Sequence, residues 1–320
     1  MGVTRLGLQI PNFTYAGVAD GELFERVAAI AGAAEESGFD SVWVMDHFYQ
    51  IANVGPSTDP MFEAYTLLGA LAARTRKVSL GTMVTGVTYR NPALLAKQVT
   101  TLDVVSGGRA ILGIGAAWND EEHAGYGFEY PPIGERMDRL EEALQICRAM
   151  FLEQAPTFTG EHYRIKDALN NPRPLRSEGI PILVGGSGER RTLALVAKYA
   201  DACNLFGDVP TMRHKLEVLE RHCEAVGRDP ATITKTRLGG LVVADTVERA
   251  EQRGREMARA RGMDEERYRG YVIAGDPDAV CEQVAAYFDA GLDGLVFNMH
   301  DAQDLEPVRL AGRTLSAAFG

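Results

Sequence analysis

No stretch of 18 apolar residues occurs in this chain, so no membrane-spanning helix is expected. No basic-then-apolar leader opens it either, and a cytoplasmic location is the expectation. The 33 Lys and Arg face 44 Asp and Glu, a formal net charge of −11, with no basic block or helix to offset it. That balance argues against a nucleic-acid partner, whose phosphates demand local cations. Cysteine is scarce. Cys147, Cys203, Cys223 and Cys281 are widely spaced and read as free, buried thiols in a reducing compartment. No Cys or His spacing suggests zinc. No G-x-G-x-x-G follows the first strand, which argues against an open dinucleotide-binding sheet.

What is present is an ordinary globular composition, 46% hydrophobic and 24% charged. The stretch Val78–Glu122 organises the rest. An apolar run to Met83 is followed by a polar turn at Arg90, Asn91 and Pro92. Leu94, Leu95, Gln98, Val99, Leu102 and Val105 then recur at helical spacing until Gly107 and Gly108. A second apolar run covers Ala110–Gly115. This is a βαβ unit whose strands are too apolar for a solvated face.

Further strand and helix signals repeat the pattern. Strands are expected at 6–10, 41–45, 181–184, 202–205, 233–243 and 295–297 besides the two above. Helices are expected at 23–37, 61–74, 134–153, 189–199, 211–226 and 277–290, with a capping box of Asp245 and Glu248 opening another and a last one at 305–318. Eight strands each followed by helix predict an α/β fold of the (β/α)8 TIM barrel class. One domain, 1–320, carries insertions at about 119–133, 155–179 and 262–275. Within the second, Thr157-Phe158-Thr159 and His162-Tyr163-Arg164-Ile165 flank Gly160-Glu161 as a small hairpin.

Three places carry possible chemistry. Asp46 and His47 follow strand two, at the catalytic rim of a barrel. His47 suits proton transfer near neutral pH; a loop-bracing role for the pair is the alternative. Gly185-Gly186-Ser187-Gly188 leads from a strand toward a helix, a geometry that binds phosphate or simply makes a tight turn. Gly113-Ile114-Gly115-Ala116-Ala117 offers small side chains that admit a flat ring or pack tightly. Trp118 walls a pocket or packs under the loop at 125–133.

The runs TLDVVSGGRAILGIG, with Trp118 and Glu122 after it, and ILVGGSG resemble the bacterial luciferase-like superfamily, from end to end of the chain. Within it the chain is most similar to the deazaflavin F420-dependent oxidoreductases. That resemblance implies a barrel with F420 at its C-terminal rim and a small-molecule substrate. It implies ring contacts from Asp46 and His47, a non-proline cis peptide at Met83–Val84, Gly115 and Ala116 near the ring, and the cofactor phosphate on Gly185, Gly186, Ser187 and Gly188. His47 would handle the proton coupled to hydride transfer. A homodimer through 62–74 and 92–106 is implied as well. Trp118 stands where the sugar-phosphate dehydrogenases of that branch carry a Glu acid, which argues against a sugar-phosphate substrate. Glu121 or Glu122 is the substitute at hand. The rival readings are an FMN-dependent monooxygenase and a barrel that binds cofactor without catalysis.

Overall fold

The computed structural model describes residues 3–260 and 262–320. Among the described residues, eight parallel strands close on themselves in chain order. They are β1 (Leu6–Ile10), β2 (Ser41–Val44), β3 (Ser79–Thr82), β4 (Ala110–Gly115), β5 (Ile182–Gly185), β6 (Ala202–Leu205), β7 (Thr234–Val243) and β8 (Gly294–Asn298). Leu6↔Leu295 and Leu8↔Val42 are the pairs that flank β1 and complete the ring. The expected strands and barrel are all present. Each strand is covered by helices outside and filled inside, which is why the strands read as continuous apolar runs.

Inside the barrel, Trp43 packs with Met83, Ile111, Leu183, Ala202, Leu238 and Val296. Its indole Nε1 donates to Ser41 Oγ at 2.9 Å, so its one polar group is satisfied. Gly7 and Gly81 make the room: a Cβ at either would approach the indole to 2.8 Å. Truncating Trp43 would leave a cavity costing on the order of 3–5 kcal/mol.

The helices are α1 (Leu23–Ser37), α2 (Ala64–Arg74), α3 (Pro92–Ser106), α4 (Asp120–Tyr126), α5 (Ile133–Leu152), α6 (Thr192–Tyr199), α7 (Val209–Val226), α8 (Val247–Ala260), α9 (Glu265–Tyr271), α10 (Pro277–Asp289) and α11 (Leu305–Phe319). Asn91 caps α3 by accepting from Ala93 N, and left-handed Gly107 ends it. Asp276 caps α10 through Ala279 N, with Pro277 in the first turn, as its sequence predicts.

The α5 and α7 helices begin one and two residues earlier than expected, at Ile133 and Val209, and three further helix starts differ for a local reason. The α2 helix begins at Ala64, not 61, because the Glu63 carboxylate takes the Tyr65 and Thr66 N–H groups. The α6 helix begins at Thr192, not 189; a turn at 189–191 separates it from the glycine run. At α8 the expected Asp245 box gives way to Thr246, whose Oγ1 accepts from Arg249 N, while Asp245 pairs with the Arg249 side chain.

The three insertions hold structure of their own. Residues 119–133 contain α4, and 155–179 contain the expected antiparallel hairpin of Phe158–Thr159 with Arg164–Ile165. Residues 262–275 contain α9 and a short strand, Val272–Gly275, which pairs with the outer end of β7 at Gly240–Val243. That strand lies beyond the eight and extends the rim. Among the described residues, no helix is long and apolar enough to cross a membrane.

Candidate active site

A cavity of about 300 Å³ opens at the C-terminal ends of the strands, where barrel sites lie. Asp46 and His47 both line it, immediately past β2. They play different parts. The Asp46 carboxylate is buried and turned onto Arg90, whose Nη1 and Nη2 donate to it at 2.6 and 2.9 Å. Arg90 also donates to Glu63 and stacks 4.8 Å over the Tyr65 ring. Burial raises the Asp46 carboxyl above its ordinary range, and the Arg90 guanidinium opposes that rise. Burial works against the charge on Arg90, yet Asp46 and its hydrogen bonds raise its pKa well above the usual value. This fork fixes the loop after β2; it does not orient His47.

Glu122 does that. His47 Nδ1 lies 2.8 Å from Glu122 Oε2. The same carboxylate accepts from Phe48 N, from Tyr49 N at 2.9 Å and from Tyr89 Oη at 2.8 Å. Burial would raise the Glu122 carboxyl, but the His47 contact and these hydrogen bonds overcome it and hold it below the usual range. An ionised carboxylate only accepts, so Nδ1 carries its hydrogen and Nε2 is the nitrogen left for a ligand. Glu122 was one of two acids at a helix start, where acids have an ordinary explanation. The motif that carries the resemblance includes Glu122, but its role stays open between Glu121 and Glu122 in the sequence. His123 is committed elsewhere: Nδ1 to the Asn119 carbonyl and Nε2 to Thr88 Oγ1, each within hydrogen-bond reach.

A cluster of rings holds α4 against the loop that carries His47. Phe48 packs on Tyr89, Tyr126 and Phe128 with centroids 4.6 to 5.6 Å apart. The insertion at 119–133 therefore delivers both the carboxylate and the packing that keeps the dyad in place.

The floor is built from Val84 and glycine. Met83–Val84 is a cis peptide, as the resemblance implied. A Cβ on Gly185 would meet Val84 at 2.7 Å, and one on Gly115 would meet it at 2.9 Å. The glycines thus admit Val84, and Val84, with Met83, Gly115, Ala116 and Gly185, lines the cavity.

Asn204, at the end of β6, is wholly buried and also lines the cavity. The Thr236 hydroxyl gives its one hydrogen to the Cys203 carbonyl, so its oxygen must accept from Asn204 Nδ2, at 2.9 Å. That fixes the amide and leaves Asn204 Oδ1 buried with no donor. No sequence signal marks it, because an Asn in a strand reads as a break in an apolar run.

The glycine run is partly engaged. Gly186, with φ at +127°, donates its N–H to the Asn204 carbonyl, and Ser187 Oγ accepts from Phe206 N at 3.1 Å. Gly185 and Gly186 line the cavity; Ser187 and Gly188 lie just past its edge. Among the described residues, the N–H groups of Ser187 and Gly188 meet no acceptor.

The chain is similar to several known proteins. The F420-dependent glucose-6-phosphate dehydrogenase of Kineococcus radiotolerans is 32% identical over 302 residues, covering 85% of this chain and 86% of the relative. The enzyme of that description from Amycolatopsis mediterranei is 30% identical over 295 residues, covering 83% and 85%. Among solved structures, an F420-dependent secondary alcohol dehydrogenase in complex with an F420-acetone adduct superposes with a TM-score of 0.82 at 21% identity, covering 100% of both chains. A monooxygenase from Streptomyces bottropensis gives 0.81 at 20% identity, covering 99% and 100%. The profile of the luciferase-like monooxygenase family matches residues 4–259, and the chain belongs to that family as one of its oxidoreductases.

Proposed function

We propose that the protein is an F420-dependent oxidoreductase that moves a hydride between the deazaflavin ring and a small organic substrate. The observation that carries this reading is His47, held by Glu122 behind it, on the wall of a mostly apolar cavity. The ring, when bound, supplies or accepts the hydride; the protein contributes binding, orientation and proton handling.

Several residues suit such a cofactor. The Val84 floor offers an apolar face to a flat ring. Asn204 Oδ1, buried without a donor, fits an N–H or O–H of the ligand. The N–H groups of Ser187 and Gly188, with the Ser187 hydroxyl hydrogen, fit an anion such as the ribityl phosphate. His47 Nε2 takes a proton from a substrate hydroxyl in the oxidising direction or returns it in the reducing one. The carboxylate of Glu122 stabilises the imidazolium formed in between. The relatives named for F420 at 30 and 32% identity support this choice of cofactor.

Titrating the purified protein with F420 and with FMN is the test. Tight binding of F420 in preference to FMN is the expected result. Tight FMN binding, with oxygen uptake by the reduced complex, would replace this reading by that of a monooxygenase. Failure of both cofactors to bind would leave a barrel without this chemistry.

A further inference from the structure

Ala117 has a left-handed backbone, φ 59°. Residues with a Cβ seldom adopt that region unless their surroundings hold them there. Two side chains do so. Arg136, stacked 4.2 Å over the Tyr130 ring, donates Nη1–H to the Ala117 carbonyl at 2.7 Å. Tyr130 Oη donates to the Trp118 carbonyl at 2.8 Å. This clamp sets the Trp118 indole at the mouth of the cavity, edge-on to His47 with centroids 5.5 Å apart. There Trp118 stays 57% exposed, beside Ile133 at 57% and Phe206 at 46%. A single exposed apolar residue is ordinary, but three converging on one cavity mouth mark a binding surface.

The charges nearby favour the same class of ligand. Two carboxylates, Asp46 and Glu63, share the one guanidinium of Arg90, and a third, Glu122, pairs with His47. Arg136 is buried and turned onto backbone carbonyls. A phosphate dianion at this mouth would meet a negative balance, whereas an uncharged apolar molecule would cover the collar and be favoured by its burial.

We propose that the substrate is an uncharged, predominantly apolar alcohol or ketone, packed on Trp118, Ile133 and Phe206 with its oxygen toward His47. This rests on the reading above that His47 handles the substrate proton. It departs from the sugar phosphate in the names of the relatives.

The chain has two tryptophans, and Trp43 is wholly buried, so acrylamide quenching of emission reports Trp118. The experiment adds cyclohexanone, acetophenone, their alcohols or glucose 6-phosphate to the whole protein, with and without F420. Uncharged ligands are expected to shield Trp118 saturably, and glucose 6-phosphate is expected to leave quenching unchanged. Ile133→Lys should weaken the uncharged ligands by about tenfold without changing F420 affinity. Shielding by glucose 6-phosphate, or its oxidation in preference to the uncharged alcohols, overturns the proposal. So does a failure of every uncharged ligand to shield. Shielding that persists although F420 does not bind supports the substrate class and sinks only the cofactor reading.

Discussion

Glu122 Oε2 lies 2.8 Å from His47 Nδ1, although the two residues are 75 positions apart in the chain. A loop after one strand and a helix after another meet there, and the contact decides which imidazole nitrogen faces the ligand. Glu122→Gln keeps the shape but not the charge. We expect turnover to fall by about a hundredfold, with F420 affinity little changed. A kcat equal to that of the parent would show that Glu122 only braces the loop.

The same carboxylate bears on acid stability. Its native pKa is depressed, so it contributes stability above the unfolded carboxyl value, about 4.3. That contribution is lost as pH falls through the lower native value. Melting temperature followed through the acid range should therefore drop less steeply for Glu122→Gln than for the parent, after allowing for the variant's lower starting stability. Parallel curves would remove Glu122 from the acid transition.

His47→Ala should abolish most turnover, by about a hundredfold or more, while leaving cofactor affinity nearly intact. Full turnover with an identified substrate would assign the proton to another group.

Ser187→Ala separates two roles. If the hydroxyl donates to a phosphate, its loss is worth roughly 1.5–3 kcal/mol, about a tenfold to hundredfold loss of affinity. The loss should fall on the phosphorylated cofactor and spare its dephosphorylated form. Because Ser187 Oγ also accepts from Phe206 N, equal losses for both forms would assign it to bracing the loop after β6.

Gly185→Ala should destabilise the fold by roughly 1–3 kcal/mol through overpacking, since its Cβ meets the Val84 side chain at 2.7 Å. Val84→Ala in the same chain should restore much of the melting temperature. Gly113→Ala should not be rescued that way, because its Cβ would meet the Thr82 carbonyl oxygen, which is backbone. Rescue of both, or of neither, would refute the part given to Val84.

We also propose a homodimer through α2 and α3. The α3 helix leaves Leu94 at 54% and Val105 at 56% exposure, more than a solvated face needs. A monomeric mass at micromolar concentration would refute it.

The barrel was legible because its strands, buried on both faces, write themselves as unbroken apolar runs, and because Asn91-Pro92 and Asp276-Pro277 carry their own helix starts. His47 was legible from its place after a strand. Glu122 and Asn204 were not. Glu122 gains its meaning from a residue far away in the chain, and Asn204 from the direction of a single hydroxyl hydrogen on Thr236. The start of α6 at Thr192 is not legible, because a glycine run can end a strand without beginning a helix. Gly115 reads as space for a ring or as tight packing, and Gly185 as part of a phosphate-binding or tight turn, whereas the neighbour that a Cβ at either would meet is Val84.

The buried thiols have a practical consequence. Burial pushes the Cys147 and Cys203 thiols up to about 12, and Cys223 is raised and enclosed too. Thiolates, not thiols, react with alkylating reagents. Burial raises the Cys281 thiol on α10 as well, but it is the one partly exposed thiol among the four. A maleimide dye offered to the native fold should therefore attach at one place, giving a singly tagged, orientable protein without any engineered cysteine.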